Sequence, residues 1–402
     1  MEGESPSDTN RSQIPWHSAV FYVIISSSLI GVMGVSLISP LLPALRPVFG
    51  VTDTAVGLFI TAYSIPGIFI TPFIGYVADR IGRKWVLVPL LFTFGIAGAG
   101  IAFTTNFLIA LGLRFLQGIG ATALVMLAVT LIGDIYEGNR RDTLIGMNGS
   151  MIGVGAAFYP LLGGALATVR WSVPFLFFGV AIPVGLLALL ALDGSTGASD
   201  IQLSTYTNRI YEVVQLPEAL ALFAAMFLAV FIYYGAVVTA LPLLLSDEFG
   251  LTSSKIGLIL AVAALANAVT SSLYGRISRR RTAPELISLG FVAFGIGLLL
   301  IWISSTTVLI AVALLGFGIG LGLALPSIDM KVITLVSEDL RAGMMGMRTS
   351  MLRLGQTIGA VGFTFAAETF FVSTVQGYRS LMLLAGVIVI GTSSLLYVLF
   401  RH

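Results

Sequence analysis

The sequence predicts an all-α membrane protein in which twelve transmembrane helices form two pseudo-symmetric six-helix bundles. Three observations lead to this prediction. First, 57% of the 402 residues are hydrophobic and only 10% are charged, whereas soluble domains carry about 25% charged residues. Second, charge-poor stretches long enough to cross a bilayer, about 20 residues each, recur along the whole chain. Third, one long polar segment divides these stretches into two sets of six.

The predicted spans follow one another at short intervals. Their ranges are 18–45, 54–78, 85–104, 106–134, 142–168, 172–192, 217–246, 254–276, 285–304, 307–336, 342–371 and 378–400. Two of the breaks, Thr104-Thr105-Asn106 and Ser304-Ser305-Thr306-Thr307, contain no charge. The even number of spans predicts that both termini lie on the same side of the membrane.

The distribution of positive charge predicts the orientation. If the N-terminus is cytoplasmic, fifteen Lys and Arg residues lie in cytoplasmic segments and four lie in outer loops. The four are Arg46, Arg170, Lys255 and Arg379. Cytoplasmic loops of membrane proteins carry the excess of Lys and Arg, so we expect a multi-pass protein of the cell membrane with both termini in the cytoplasm.

Composition excludes several kinds of chemistry. The chain has no cysteine, and its two histidines, His17 and His402, lie outside the spans. No H-E-x-x-H pattern and no phosphate-binding glycine loop occurs, and no basic stripe indicates a nucleic-acid partner. We therefore expect no enzyme activity, no metal and no cofactor.

The two sets of spans resemble each other. Gly146-Met-Asn-Gly-Ser-Met151 opens the fifth span, and Gly346-Met-Arg-Thr-Ser-Met351 opens the eleventh with four identities in six positions. This echo predicts a duplicated chain, as in transporters built from parallel repeats. The predicted domains are an N-terminal tail at 1–17, a first bundle at 18–192, a linker at 193–216 and a second bundle at 217–402.

A loop motif gives a family resemblance. Gly75-Tyr-Val-Ala-Asp79-Arg80-Ile-Gly82-Arg83-Lys84 lies between spans two and three, and it resembles the G-x-x-x-D-R-x-G-R-K loop of the major facilitator superfamily. The run from Arg114 to Ala121 in span four, R-F-L-Q-G-I-G-A, is similar to the R-x-x-Q-G-x-G-A motif of that family. The resemblance covers the chain from about residue 18 to its end.

Further motifs resemble the drug:proton antiporter branch of this family. They are Pro40-Leu-Leu-Pro43, Thr61-Ala-Tyr63 and the helix-packing motif Pro160-Leu-Leu-Gly163-Gly164. Two features depart from that branch, because Tyr159 replaces the glycine before Pro160 and span one carries no carboxylate. Both departures bear on proton coupling.

The resemblance implies a function. It implies the major facilitator fold and a secondary transporter that works by alternating access, as a monomer, with the proton gradient as energy source. We expect efflux of amphipathic or apolar small molecules, as in multidrug antiport. The alternative is proton-coupled or facilitated uptake of a small metabolite. A channel, a receptor or a membrane enzyme would need neither the loop motif nor the repeat.

The loop motif also implies a conformational latch. Gly75 and Gly82 would allow close helix approach and a tight turn. Asp79 could accept hydrogen bonds from the N-terminus of span eleven, and Arg80, Arg83 or Lys84 could reach Asp134 at the end of span four. The alternative is that these basic residues only hold the loop in the cytoplasm.

Charged residues within the spans are candidates for proton coupling. Arg114 and Gln117 share a face of span four, either as a polar cavity wall or as hydrogen-bond donors to neighbouring helices. Asp329 is the first candidate proton carrier, and we expect it to pair with Arg353 because either charge alone would be costly in the membrane. A fixed ion pair is the alternative. Glu368 is an exit-path candidate or an interfacial residue.

The substrate cavity should be apolar and aromatic, and methionine suits varied apolar ligands. Its candidate lining residues, each of which could equally be part of the helix packing, are Tyr63, Tyr159, Tyr233, Tyr234, Asn267, Met151 and Met351.

Overall fold

The computed structural model describes residues 14–194, 216–336 and 341–400. The predicted tail up to residue 13 and the predicted linker from residue 195 to 215 lie outside the described residues, as does His402.

Twelve long helices, α1 to α12, run through the described residues. In chain order they are Ala19–Phe49, Asp53–Ile81, Arg83–Phe103, Phe107–Ile135, Gly138–Val169, Val173–Ala191, Pro217–Phe249, Ser253–Ile277, Ala283–Ile303, Thr307–Thr334, Arg341–Phe370 and Thr374–Phe400. The all-α prediction is confirmed, and each predicted span matches one helix to within a few residues. Five helices, including α1 and α7, have short departures from α geometry.

α11 is the exception among the twelve. Of the helices in the described residues, eleven are long and apolar enough to cross a membrane by composition alone, and α11 is not among them. Its 30 residues include Arg348, Arg353, Gln356 and Glu368. α11 packs between α2 and α7, so protein shields these polar groups from lipid, as such groups require.

Packing groups the helices into two halves. The helices α1 to α6 pack with one another, α7 to α12 do the same, and the halves meet chiefly along α5 with α8 and along α2 with α11. The candidate substrate site is positioned by these two seams.

Glycines allow the close approach of α5 to its neighbours. A Cβ on Gly163 would lie 1.9 Å from the carbonyl oxygen of Leu37 in α1, and one on Gly164 would lie 2.4 Å from that of Ser253 in α8. A Cβ on Gly257 of α8 would lie 2.1 Å from the oxygen of Pro160. The motif Pro160–Gly164 thus lies where α5 contacts both α1 and the other half.

Gly163→Ala is expected to destabilise the protein. The added methyl group would overlap backbone that cannot turn aside, which costs about 1–3 kcal/mol. Gly149→Ala, on the same helix, is the matched control because a Cβ there meets nothing within 4 Å, and Gly→Ala within a helix gains about 0.5–1 kcal/mol. Thermal unfolding in detergent should therefore shift down for Gly163→Ala and slightly up for Gly149→Ala. Equal shifts would contradict the assigned packing.

A second internal repeat accompanies the first. α1 ends in Phe49-Gly50 and α7 in Phe249-Gly250, and both glycines adopt the left-handed conformation, with φ of 63° and 61°. These positions are 200 residues apart, like the Gly146 and Gly346 echo. Equivalent turns therefore follow the first helix of each half.

The two faces of the bundle differ in charge. The basic face, defined here by the α2–α3 turn and by the α8–α9 turn, carries Arg80, Arg83, Lys84 and the run Arg279–Arg281. The opposite face carries the end of α1 and of α7 and the start of α2 and of α12. Gly82 forms the α2–α3 turn with φ of 98°, which glycine adopts readily.

Candidate functional site

A small cavity lies between the two halves. It has a volume of about 30 Å³, room for about one water molecule, and lies among α1, α5, α7 and α8. Tyr233 and Tyr234, two predicted lining residues, contribute to its wall, as do Ser36 and Ser39, which sequence reasoning missed. Most of the remaining wall is apolar, with Val35, Val237, Val238, Leu260, Ala263 and Ala264.

The cavity wall on α7 is π-helical. Residues Tyr233–Ala240 form this segment, and π geometry is rare and frequent at functional sites. Ser39 of α1 donates a hydrogen bond of 2.6 Å to the Val238 carbonyl across the halves, while the buried Thr239 hydroxyl has no hydrogen-bond partner. Irregular backbone at membrane depth is tolerated where it is buried or lines a cavity, and this segment does both.

Arg114 ties three helices of the first half together. Its guanidinium is fully buried and donates to the Phe59 carbonyl of α2 at 3.0 Å, to Gln117 Oε1 at 2.7 Å and to the Gly34 carbonyl of α1 at 3.1 Å. It also lies 4.6 Å from the ring centroid of Tyr63. All four contacts are neutral groups. This geometry fits the interpretation of Arg114 as a donor to neighbouring helices.

Arg353 lies on the seam between the halves. A Cβ on Gly67 of α2 would lie 2.9 Å from its Nε, so α2 passes directly beside the guanidinium. Nη1 donates to Gln356 Oε1 at 3.1 Å, while Nε is buried without a hydrogen-bond partner. α11 also packs against the π-helical segment of α7 that contains Tyr234. Arg353 therefore lies on the helix that packs against both α2 and α7.

Asp329 does not pair with Arg353, and the predicted pair is wrong. Arg348 donates from Nε and Nη2 to the two carboxylate oxygens of Asp329, at 2.6 Å and 3.0 Å. Arg348 lies nearer the start of α11 than Arg353, at the depth of Asp329 near the end of α10. The result is a forked ion pair that fastens α10 to α11 within the second half.

Glu368 bridges the halves near the opposite face. Its carboxylate accepts a hydrogen bond of 3.1 Å from the Thr54 backbone N–H of α2 and a second one from the Thr54 hydroxyl. The Thr52 hydroxyl approaches it at 3.3 Å. These bonds join α2 of the first half to α11 of the second half, and they exist only while the two helices stay together at this end.

An ion cluster that sequence reasoning missed closes the same end. Arg46 Nη1 of α1 donates to Asp53 Oδ1 at 2.7 Å and to Asp247 Oδ2 of α7 at 2.9 Å, and its Nη2 donates to the other oxygen of Asp247. The Tyr378 hydroxyl of α12 donates to Asp53 Oδ2 at 2.7 Å. We call Arg46, Asp53, Asp247 and Tyr378 the opposite-face cluster. It connects both halves.

At the basic face, part of the predicted latch is assembled within one half. Arg83 contacts Asp79 and donates from Nε to Asp134 Oδ2 at 3.1 Å, while Lys84 lies over the ring of Trp85 at 5.7 Å. Gly75 does not provide close helix approach, since a Cβ there would meet only a Met126 methyl at 3.8 Å. The contact of Asp79 with the start of α11 stays a prediction for another conformation.

Four glycines near the helix ends at the basic face have open space beside them. Cβ atoms built on Gly146 and Gly149 of α5, on Gly275 of α8 and on Gly346 of α11 meet no atom within 4 Å among the described residues. At the opposite face, charged side chains of the described chain join the two halves.

The other residues predicted to line the cavity lie elsewhere in α5, α8 and α11. Tyr159 is buried in α5, and a Cβ on Gly155 would lie 3.0 Å from its ring. Asn267 of α8 accepts a hydrogen bond of 3.3 Å from Ser271, and its backbone oxygen lies against Gly322 of α10. Met151 and Met351 are partly buried, and Met351 packs on the hydrophobic core.

Comparison with known sequences identifies relatives. The profile of the family described as Major Facilitator Superfamily matches residues 24–239 and again residues 222–402. The chain is 34% identical over 157 residues to the "Bacillibactin exporter" of Bacillus subtilis, an alignment that spans 37% of this chain and 39% of that protein. It is 27% identical to "Tetracycline resistance protein, class E" of Escherichia coli over 83% of this chain and 84% of that protein.

A solved structure shares the fold. A bacterial homologue of the human lysosomal transporter Spinster, in an inward-facing and unoccupied conformation, superposes with a TM-score of 0.80 at 16% identity. The superposition covers 96% of this chain and 97% of that one. At this identity the likeness shows the fold and nothing about the substrate.

Proposed function

The chain belongs to the Major Facilitator Superfamily, a family of multi-pass membrane transporters and not of enzymes, and from this membership we propose that it exports amphipathic or apolar small molecules by proton antiport. Relatives named for drug resistance support export, among them "Multidrug resistance protein 2" of Bacillus subtilis. The observation that carries the proposal is a small, largely apolar cavity on the seam between two halves that the opposite-face cluster and Glu368 join at one end.

The proposed cycle rocks the halves around this cavity. With the basic face in the cytoplasm and the protein acting as a monomer in the cell membrane, substrate enters from the cytoplasmic side. The opposite-face cluster and the Glu368 bonds then break, and the latch residues Asp79, Arg83 and Asp134 close the cytoplasmic side. The latch would close this side when Asp79 meets the start of α11 in the other conformation, and the proton gradient supplies the energy.

Glu368 is the proposed proton carrier. Its ionised carboxylate accepts two hydrogen bonds from Thr54 across the halves. Protonation would turn one of its oxygens into a donor and weaken these bonds, so proton binding would loosen the closed face. Asp329 has a different role in this proposal, because both of its oxygens are bonded to Arg348 within one half.

Substrate-driven proton flux in proteoliposomes tests the proposal. Wild-type protein should move protons when a panel of amphipathic compounds is added, and Glu368→Gln should reduce this flux to the level of protein-free liposomes. Asp329→Asn should retain coupling, with a lower unfolding temperature because it loses a forked ion pair.

Two results would count against this proposal. Equal coupling in wild type and Glu368→Gln, with loss in Asp329→Asn, would reassign the proton to Asp329. Absence of substrate-linked proton flux across the whole panel would favour the alternative, uptake or facilitated exchange of a small metabolite.

A further inference from the structure

Two guanidinium groups at membrane depth have neutral partners among the described residues. Arg114 is held by two carbonyls, one amide and the ring of Tyr63, and Arg353 donates to the amide of Gln356. Both repeat the same local pattern, an arginine that bonds to a glutamine three residues further on. A charge at this depth is costly unless a counter-charge or a polar cavity compensates it.

The acidic residues nearest to these arginines along the helices are bonded to other partners. In the described part of the chain, Asp329 is bonded by both ends of the Arg348 fork and Glu368 accepts its two bonds from Thr54. Asp53 and Asp247 belong to the opposite-face cluster. The middle of the seam therefore carries a positive charge that the described residues leave uncompensated.

The two arginines differ in accessibility. Arg114 is fully buried, and its guanidinium donates to three protein acceptors. It therefore acts on a substrate at a distance, through its charge. Arg353 is partly exposed, while its buried Nε has no acceptor among the described residues. A guanidinium with an unused donor suits an oxyanion, which it can bind through two parallel hydrogen bonds when the seam opens.

The apolar cavity lies beside the helix that carries this cation. Tyr234 lines the cavity, and the π-helical segment that contains Tyr234 packs against α11, the helix of Arg353. Val237, Val238 and Leu260 provide an apolar surface beside it. The cavity has room for about one water molecule in this conformation and must widen to admit a larger molecule, at the seam where the halves separate.

We propose that this transporter selects amphipathic organic anions, with an anionic head group such as a carboxylate bound by Arg353 and an apolar body placed against Tyr233, Tyr234 and Leu260. This inference rests on the proposed export function and names the substrate class of that same site. Arg114 contributes the second positive charge of the site, and Gln356 positions the guanidinium by accepting from its Nη1.

Three probes with the same pyrenyl-butyl body test the inference. Their head groups are a carboxylate, a neutral amide and a quaternary ammonium. Binding to the purified full chain in nanodiscs of zwitterionic lipid is measured by energy transfer from tryptophan to pyrene, with empty nanodiscs subtracted. We expect the carboxylate probe to bind at least about tenfold more tightly than the amide, and the ammonium probe to bind most weakly.

Variants connect the preference to one residue. Arg353→Gln should abolish the preference for the carboxylate, and Arg353→Lys, which keeps the charge without the fork, should retain part of it. Arg279→Gln, which removes an exposed charge at the basic face, should leave the preference intact. A monodisperse elution profile identifies the variants that are folded. If Arg353→Gln is not folded, Arg353→Lys still tests the contribution of the planar guanidinium to the preference.

The outcomes separate this inference from the export proposal. If the ammonium probe binds as tightly as the carboxylate, or Arg353→Gln keeps the wild-type preference, the anion inference is overturned. The same probes are then followed for transport in proteoliposomes. Export of the amide or ammonium probe without any role for Arg353 would leave export standing and remove the anion site. A preference for the carboxylate probe without transport of any probe would leave the anion site standing and remove the export proposal.

Discussion

Arg114→Lys is expected to lower the stability of the protein by about 3 kcal/mol and to abolish transport. The guanidinium donates to Phe59 of α2, to Gln117 of α4 and to Gly34 of α1, and bonds to a charged group contribute about 1.5–3 kcal/mol each. A lysine ammonium is a single point and cannot span these three acceptors as the planar fork does. At least one of the three acceptors would lose its hydrogen bond to residue 114.

The surroundings of Arg114 leave little scope for repacking. A Cβ on Gly34 would lie 2.0 Å from the Tyr63 hydroxyl, and one on Gly118 would lie 2.1 Å from the Tyr63 carbonyl oxygen. The helices α1, α2 and α4 are thus in close contact around the guanidinium. A change of shape at residue 114 therefore affects the positions of all three helices and, through Tyr63, the neighbourhood of Arg353.

Thermal unfolding in detergent and transport in proteoliposomes measure this effect. The matched control is Arg141→Lys, the same substitution at a residue with 48% of its side chain exposed that pairs only with Asp142 at 3.4 Å. Such an exposed pair contributes little, so the control should unfold within about 0.5 kcal/mol of wild type. If Arg114→Lys unfolds at the wild-type temperature, the planar shape of the guanidinium does not contribute to stability.

The helices could be predicted from the sequence because lipid imposes a simple rule. Apolar stretches of span length that are separated by charged or small polar residues almost always form transmembrane helices, since only a helix satisfies its own backbone in lipid. α11 shows where that rule weakens, because its composition alone does not identify it as a span. Its place between two clear spans predicts it, and its position at the seam with α2 accounts for its polarity.

The contacts of the site were less predictable because they depend on helix depth and rotation. Asp329 lies five residues before the end of α10, and Arg348 and Arg353 lie seven and twelve residues after the start of α11. At 1.5 Å per residue these depths are about 7.5, 10.5 and 18 Å from the basic face, so Arg348 is the better match. Sequence reasoning placed Arg353 at the depth of Asp329 and therefore chose the wrong partner.

Pairs between distant segments left no signal in one sequence. Arg46 and Asp247 are separated by 201 residues and Thr54 and Glu368 by 314. Each of these residues lies at a helix end, where charged and polar side chains are common in any membrane protein. Only the folded chain shows that these ends meet, and that the contacts between them cross from one half to the other.

These contacts bear directly on the alternating-access cycle. Every bond of Arg46 to Asp247, of Tyr378 to Asp53 and of Thr54 to Glu368 joins α1 or α2 to the second half. Opening of the opposite face must break all of them. With Arg46 and Asp247 each 24% exposed, solvent reduces the contribution of their pair, and we take it as about 1–2 kcal/mol. Removing it should shift the balance toward the open state about five- to thirtyfold.

Adjacent residues of α7 provide a matched test. Asp247→Asn should weaken the bond to Arg46 across the halves, whereas Glu248→Gln should weaken only the bond to Arg379 of α12 within the second half, where the two distances are 2.6 and 2.8 Å. Because the chain has no cysteine, Ser39→Cys supplies a single thiol at a position that is 3% exposed on the seam. A membrane-impermeant maleimide added at the opposite face should label it about five- to thirtyfold faster in Asp247→Asn.

Glu248→Gln should leave the labelling rate of Ser39→Cys unchanged. This contrast separates two interpretations of the charged groups at the opposite face. If the ion pairs there only hold each half in shape, loss of either acid would have the same small effect. If the pair between the halves sets the energy of the closed state, only Asp247→Asn would accelerate labelling, and substrate that widens the central cavity should accelerate it further. Equal rates in both variants would assign closure of this face to the glycine contacts of α5 with α8, since a Cβ on Gly164 or Gly257 would overlap backbone of the other half.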